Sequence, residues 1–235
     1  MVIKMERVST GIEELDEKLG GGYPEGKMIL VTGIYGSGKT IFELHFIHRS
    51  CLDGKKCILL ATEEMPDDIL QQASFIGLDL KEYYESGQLV IERIFENRSH
   101  KVQTASYGFT PDGLAIDLPS LADHIPNDAD VVVIDNIGVF TLRLENQDFR
   151  DQLDALNYVL MRKGCTSIFI MDEAAYELSN QIADYSAYGS VRLLIKENPY
   201  TGKVERYLSI PKMRSTNISP DMFVFEITSE GIKFK

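Results

Sequence analysis

The chain alternates between short apolar runs and longer segments in which apolar residues recur every three or four positions. The short runs are nearly all apolar, which is typical of parallel strands covered on both faces, and they span 28–32, 57–62, 89–94, 131–135 and 166–171. The periodic segments predict helices over 40–51, 66–76 and 145–162. Because strands and helices alternate, we predict an α/β fold with a mostly parallel central sheet and helices on both of its faces.

The pattern changes after residue 190. Three further strand-like runs follow at 191–195, 205–210 and 222–227, and the turn-forming residues at 198–202 join the first two. They predict a β-rich, antiparallel extension added to the edge of the central sheet. By contrast, residues 96–119 are polar and have no clear period, and a loop of this length in a compact domain is usually functional or mobile.

A glycine-rich octet lies between the first predicted strand and the first predicted helix. It reads GIYGSGKT at 33–40 and fits the phosphate-loop pattern G-x-x-x-x-G-K-[ST] at every fixed position. Its glycines let successive backbone N–H groups point at a phosphate, and the following helix adds the positive end of its dipole. We therefore predict ATP or ADP as ligand, with Mg²⁺. The predicted binding residues are Gly33, Tyr35, Gly36, Ser37, Gly38, Lys39, Thr40 and Ile41.

Within this loop, Lys39 is expected to reach the β- and γ-phosphates, and the Thr40 hydroxyl to bind Mg²⁺. A second metal-binding residue is predicted at Asp135, the carboxylate that ends the apolar strand over 131–135. This is the Walker B arrangement, in which the carboxylate holds Mg²⁺ through water. The octet together with this strand predicts a nucleotide-binding core over 25–175, inside a single domain of 235 residues that also contains an N-terminal segment (1–24) and the β-rich extension (190–235).

Adjacent acids follow two of the predicted strands. Glu63 and Glu64 come directly after the strand over 57–62, at the end of a parallel strand where ligands bind in open α/β sheets. One of them could orient or deprotonate the water that attacks the γ-phosphate; the alternative is a solvated acidic start to the next helix. Asp172 and Glu173 end another strand and could either sense the γ-phosphate or cap the loop.

Two cations near the carboxyl end, Lys212 and Arg214, are spaced to share one face of an extended segment. The chain has 24 Lys and Arg against 36 Asp and Glu, a formal charge of −12, so a pair of cations on one face suggests an anionic partner. An arginine that reaches a γ-phosphate across a subunit boundary is one such arrangement. The alternative is an ordinary exposed basic turn.

Composition narrows the class of protein further. A net charge of −12 disfavours broad electrostatic binding to nucleic acid. The three cysteines form no C-x-x-C pair and are too sparse for a disulfide framework, which fits a reducing interior. The N-terminus has no signal-peptide pattern, and no apolar run approaches the length of a membrane span. We therefore expect a cytoplasmic protein without a membrane span.

Several motifs in chain order extend the match beyond the phosphate loop. They are STGIEELD at 9–16, LGGGYP at 19–24, the twin Glu63-Glu64, the Asp135 strand, GCTSI at 164–168, KMR at 212–214 and FEITSEGI at 225–232. Together they resemble the KaiC-like branch of the RecA superfamily of ATPases, in its single-domain archaeal type, over nearly the whole chain. The chain is also similar to the archaeal RadA paralogs.

The resemblance implies a RecA-like core that binds ATP between adjacent subunits, often in hexameric rings. It assigns phosphate and Mg²⁺ binding to Lys39 and Thr40, and the general base to Glu63 or Glu64. Lys212 and Arg214 would act on the nucleotide of a neighbouring subunit. The predicted catalytic residues are therefore Lys39, Glu63, Glu64, Lys212 and Arg214.

This chain departs from the family pattern near the basic pair. Where the family pattern reads K-x-R-G-x-x-H, this chain has Ser215 in place of the glycine and Ile218 in place of the histidine. Residues 187–191 correspond to the family's A-D-G segment but lack its acid. We therefore predict slow Mg²⁺-dependent ATP hydrolysis, with the nucleotide state controlling homo-oligomerisation and the binding of a protein partner. Two alternatives are a recombination accessory protein that binds single-stranded DNA, and an assembly factor that binds ATP without hydrolysing it.

Overall fold

We describe the computed structural model over residues 5–94, 117–142, 144–173 and 177–235. The polar segment singled out above lies mostly outside these residues. The helices are α1 (Glu13–Leu19), α2 (Lys39–Leu52), α3 (Pro66–Phe75), α4 (Lys81–Ser86), α5 (Asn146–Lys163) and α6 (Glu177–Ser186), and Pro119–His124 and Ile137–Leu142 form 3₁₀ turns. The strands are β1 (Arg7–Val8), β2 (Tyr23–Pro24), β3 (Met28–Gly33), β4 (Cys57–Ala61), β5 (Leu89–Arg93), β6 (Val131–Asp135), β7 (Thr166–Asp172), β8 (Gly189–Glu197), β9 (Val204–Met213), β10 (Phe223–Thr228) and β11 (Gly231–Phe234).

A nine-stranded sheet organises the fold, with the strands in the order β11-β10-β9-β8-β3-β7-β6-β4-β5. The six strands from β8 to β5 pair in parallel, and β9, β10 and β11 are added in antiparallel pairing. The predicted architecture is confirmed. The first strand of the predicted extension, β8, is parallel to β3, so antiparallel pairing begins at β9.

Helices cover both faces of the sheet, and this explains why its central strands are almost wholly apolar. Alternate residues of a strand point to opposite faces. In β6, Val131 and Val133 pack in one cluster with residues of α1, α2 and α3, whereas Val132 and Ile134 pack in a second cluster with residues of α5 and α6. Within the described ranges, no helix has the length and hydropathy needed to cross a membrane.

The register of the parallel strands brings four strand ends to one edge of the sheet. Gly33 of β3 pairs with Asp172 of β7, and Ala61 of β4 pairs with Asp135 of β6. Parallel strands all point the same way, so the loops that follow them emerge side by side. Residues distant in sequence, including the phosphate loop and both acidic pairs, therefore meet at this edge.

Helix α2 is tied to both ends of the chain by His45, which is only 6% exposed. The N–H of Ile232 in β11 donates to its Nε2 at 2.9 Å, and the ring also hydrogen-bonds to the backbone of Gly11. Burial is the main cause that lowers the pKa of His45 to about 4. The imidazole is therefore neutral in the fold, and it holds the N-terminal segment and the C-terminal strand against the helix that follows the phosphate loop.

Candidate nucleotide-binding site

The loop over 33–38 turns sharply between β3 and α2. Gly36 and Gly38 have φ of 77° and 103°, a region of backbone conformation that favours glycine. A Cβ on Gly38 would lie 2.8 Å from the Cδ1 of Ile227, and one on Gly33 would lie 2.5 Å from the Oγ of Ser37. The Ser37 Oγ is buried without a hydrogen-bond partner among the residues described. This cradle has the glycines and the spare hydroxyl that suit a phosphate group.

Lys39 is held over the loop. Its Nζ donates to the carbonyl oxygens of Gly33 and Ile34 at 2.9 Å and 3.1 Å, and to Oδ1 of Asp172 at 3.1 Å. The side chain is 11% exposed. The cation therefore lies at the mouth of the loop, and Asp172, for which the sequence left two roles open, is its carboxylate partner.

Glu173, the other acid of that pair, takes a separate position. Its Oε1 accepts a hydrogen bond from the Thr32 hydroxyl at 3.2 Å and forms an ion pair with Nε of Arg192 at 2.6 Å. These contacts join the ends of β3 and β7 to Arg192 within β8. They fit the interpretation of Glu173 as a residue that supports the loop.

A cavity of about 350 Å³ opens in front of this loop. Most of the predicted site residues line it: Tyr35, Gly36, Gly38, Lys39, Thr40 and Ile41 of the loop and helix, with Glu63, Glu64 and Asp135 from the strand ends. Residues that were not among the predicted site residues also line it, including Glu43, Gln72, Asn136 and Ile227. The volume falls within the range of small-molecule sites, roughly 300–1,000 Å³.

The twin acids differ in their surroundings. Glu63 is exposed, whereas Glu64 is half-buried and its Oε2 accepts a hydrogen bond from Nε2 of Gln72 at 2.5 Å. Gln72 lies two turns along α3, so this helix holds the carboxylate of Glu64 toward the cavity. The sequence could not separate the two acids, because the difference arises from a side chain on the following helix.

Asp135 lies against a further buried carboxyl, that of Glu43 on α2. The two carboxyl groups hydrogen-bond to each other, and Glu43 is 1% exposed. Burial and then the charge of Glu64 raise the pKa of Asp135 to about 7, while Lys39 lowers it. Burial and then the charges of Asp135 and Glu64 raise the pKa of Glu43 well above its ordinary value. The pair therefore retains a proton near neutral pH.

The carboxylates do not form a complete metal site by themselves. Among the described residues, no group of three His, Cys, Asp or Glu side chains is arranged to hold a metal ion. Mg²⁺ is commonly held by one or two carboxylates together with the phosphates of the substrate. Asp135 and the Thr40 hydroxyl, which both line the cavity, fit a cation that completes its coordination with phosphate oxygens and water.

Lys212 and Arg214 lie far from this cavity. Met213 pairs with Gly189, and Gly189 pairs with Ile29 near the start of β3, four residues before the loop. The Nζ of Lys212 donates to the carbonyl oxygen of Asp184 at 2.5 Å, at the end of α6. The Arg214 guanidinium lies 5.9 Å from the ring centre of Tyr188. The structure does not bring this pair to the phosphate loop of its own chain.

The C-terminal strands instead place Arg206 beside the loop. Its Nη2 donates to the carbonyl oxygen of Gly36 at 3.4 Å, and its Nε is buried without a hydrogen-bond partner in the part of the chain that is described. Ile227 of β10 lines the cavity on the same side. The sequence assigned no site role to Arg206 or to Ile227, which appeared only within the motif over 225–232, because their position depends on the antiparallel pairing of β8, β9 and β10.

Comparisons with known proteins identify the family of the chain. The model of a family described as the KaiC ATPase matches residues 8–235. A UPF0273 protein of Methanopyrus kandleri is 31% identical over 97% of this chain and 92% of its own length. The circadian clock oscillator protein KaiC of Parathermosynechococcus lividus is 29% identical over 97% of this chain, which spans only 40% of that relative.

A solved structure is similar over its full length. The KaiC-like protein of the hyperthermophilic archaeon Pyrococcus horikoshii OT3 has a TM-score of 0.76 and 28% identity, over 99% of this chain and 100% of the other. The shared fold thus extends from the N-terminal segment to the antiparallel strands. With the family model matched from residue 8 to residue 235, the chain belongs to the KaiC family of ATPases.

Proposed function

We propose that the protein binds ATP with Mg²⁺ in the cavity at the end of β3, hydrolyses the ATP slowly, and uses the nucleotide state to control its association with further copies and with a protein partner. Family membership supports ATP binding and ATPase activity. The observation that carries the proposal is that one cavity joins the phosphate loop and Lys39 with Glu63, Glu64 and Asp135.

Each group in the cavity has a role that its chemistry supports. The backbone N–H groups at the start of α2 and the Lys39 ammonium bind the phosphates, because both are donors at the positive end of a helix. Thr40 and Asp135 hold Mg²⁺, which supplies charge neutralisation on the phosphate oxygens. Glu64, oriented by Gln72, accepts a proton from the attacking water, with Glu63 as the alternative base.

Hydrolysis in this proposal depends on association because the basic pair comes from a neighbouring subunit, and it is slow because Ser215 and Ile218 replace the glycine and histidine of the family pattern. In its own chain Lys212 lies level with the start of β3, whereas the phosphate loop follows its end. The turn beside the pair keeps the backbone that a glycine would favour, since Ser215 has φ of 57°. Its hydroxyl contacts the Tyr188 hydroxyl at 2.9 Å, and its carbonyl oxygen accepts from Arg7 at 3.0 Å. These contacts fix the turn against the N-terminal segment.

Steady-state phosphate release tests the proposal, with the wild type measured beside Lys39→Ala, Glu63→Gln and Glu64→Gln. Turnover of about 1 per second is the lower end of the usual range for enzymes, and we expect the wild type to lie well below it. We expect Lys39→Ala to lose this turnover. Light scattering with and without ATP and Mg²⁺ measures association. The absence of nucleotide affinity in calorimetry of the wild type would refute the proposal. Tight binding with no turnover would refute hydrolysis and favour the non-hydrolysing assembly factor.

A further inference from the structure

Glu43 occupies a position where a carboxyl group is costly. It lies on α2, one helical turn after Lys39, and its neighbours Phe42 and Leu44 belong to the buried core. Glu43 itself is 1% exposed, and its Oε2 has no hydrogen-bond partner among the described residues. A buried polar atom without a partner is unfavourable, so its retention in the core indicates a role at the cavity that it lines.

The groups that face Glu43 are those of the proposed cation site. Its carboxyl hydrogen-bonds to the carboxyl of Asp135, and the charges of Glu64 and Lys39 act on it. Thr40, the other residue proposed to hold the cation, lies three positions earlier on the same helix, hence on the same face. Glu43 therefore connects the helix that carries Thr40 to the strand that carries Asp135.

We propose that Glu43 is a positioning residue for the divalent cation: its contact with Asp135 holds that carboxylate in place beside Thr40. This inference rests on the proposed function of the cavity as a site for nucleotide and Mg²⁺. Carboxylates that bind metals are themselves hydrogen-bonded, and loss of such an outer partner typically weakens metal affinity by about 10–100-fold. Glu43 supplies that outer contact from within the core, where solvent does not compete with it.

The alternative is that Glu43 serves only the packing of α2 against the sheet. The two roles differ in what they affect. A packing role would change the stability of the protein and the shape of the cavity, and so would alter nucleotide binding with or without a cation. A positioning role affects only the part of the binding that depends on the cation.

Calorimetry of ADP binding, once in EDTA and once in Mg²⁺, separates these roles without a measurement of activity. The variants are Glu43→Leu and Glu43→Met, which remove the carboxyl, and Glu43→Gln, which keeps a hydrogen-bonding group of the same shape. Ser50→Ala is the matched control, because Ser50 is also buried on α2 and its hydroxyl has no hydrogen-bond partner within the described ranges. A titration of each variant with Mn²⁺ in the presence of ADP, followed by water proton relaxation, measures cation affinity directly.

We expect all variants to bind ADP in EDTA within about threefold of the wild type. Glu43→Leu and Glu43→Met are expected to lose about tenfold in Mn²⁺ affinity and in the gain that Mg²⁺ gives to ADP binding, with Glu43→Gln and Ser50→Ala within about threefold of the wild type. If Glu43→Met folds and Glu43→Leu does not, Glu43→Met alone provides the comparison.

Two results would overturn the role of Glu43. One is wild-type cation affinity in the variants that lack the carboxyl. The other is an equal loss of ADP binding in EDTA and in Mg²⁺, which would assign Glu43 to packing. A wild type that binds ADP in EDTA but shows no Mg²⁺ effect would also remove the proposed cation role. Failure of the wild type to bind ADP at all would instead refute the proposed function.

Discussion

The buried imidazole of His45 gives a stability prediction whose size follows from the structure. The ring accepts a hydrogen bond from the N–H of Ile232 and also hydrogen-bonds to the backbone of Gly11, so the imidazole is neutral in the fold. Burial lowers its pKa from 6.5 to about 4, with smaller contributions from the charges of His48 and Lys233. The unfolded chain, whose histidine keeps the ordinary pKa, therefore binds a proton at pH 5 that the folded chain does not.

The direction in which stability changes with pH follows from this difference in proton binding. The stability due to neutral His45 is fully present above about pH 6.5 and is lost as the pH falls toward 4. Each pKa unit corresponds to about 1.4 kcal/mol, so a pKa difference of about 2.5 sets the maximum loss in the free energy of unfolding at roughly 3 kcal/mol. At pH 5 the loss has reached about 2 kcal/mol, because the unfolded histidine is then almost fully protonated.

Urea unfolding of the wild type and of His45→Gln at pH 8 and pH 5 measures this loss. The pKa of Asp135 is raised to about 7, so its carboxyl stabilises the fold as the pH falls and opposes the histidine effect. Both proteins contain Asp135, so its contribution cancels in the difference between them. We expect the destabilisation caused by His45→Gln to shrink by about 2 kcal/mol from pH 8 to pH 5.

The half-buried His48 on the same helix supplies the control. Burial lowers its pKa as well, but water reaches part of its ring, so His48→Gln is expected to give a smaller pH-dependent difference. If the destabilisation by His45→Gln were the same at both pH values, to within about 0.5 kcal/mol, the buried neutral imidazole would be refuted.

Three further predictions concern the site. Lys39→Ala should lower phosphate release by about a hundredfold or more, since it removes the cation at the loop, and a change below about threefold would contradict its role. Gly38→Ala should weaken ADP binding at least about tenfold in calorimetry and lower the free energy of unfolding by about 1–3 kcal/mol, because φ of 103° is strained for alanine and its Cβ would meet Ile227. Lys212→Ala should leave ADP binding by dilute protein unchanged but reduce turnover, because Lys212 is remote from its own loop; equal loss of both would contradict action across subunits.

The sequence determined the class of fold and the identity of the nucleotide loop. The predicted strand over 131–135 coincides with β6, and the predicted helices over 40–51 and 145–162 differ from α2 and α5 by one residue at each end. Short elements, including α1 and β11, escaped prediction because a few residues carry too little periodicity to show a buried face. The ten-residue α6 was also missed, although α3 of the same length was predicted. The phosphate loop could be recognised from the sequence because the residues that define it are eight consecutive positions.

Only the tertiary structure decided which other side chains share the cavity. Glu43 reads in the sequence as one polar residue within an amphipathic helix, and its contact with Asp135 exists only because α2 packs against the sheet beside β6. The hydrogen bond from Gln72 to Glu64 and the remote position of Lys212 likewise depend on strand register and helix packing. Local backbone preferences and periodicity are encoded in neighbouring residues, whereas a contact between distant segments is fixed by the packing of the whole core.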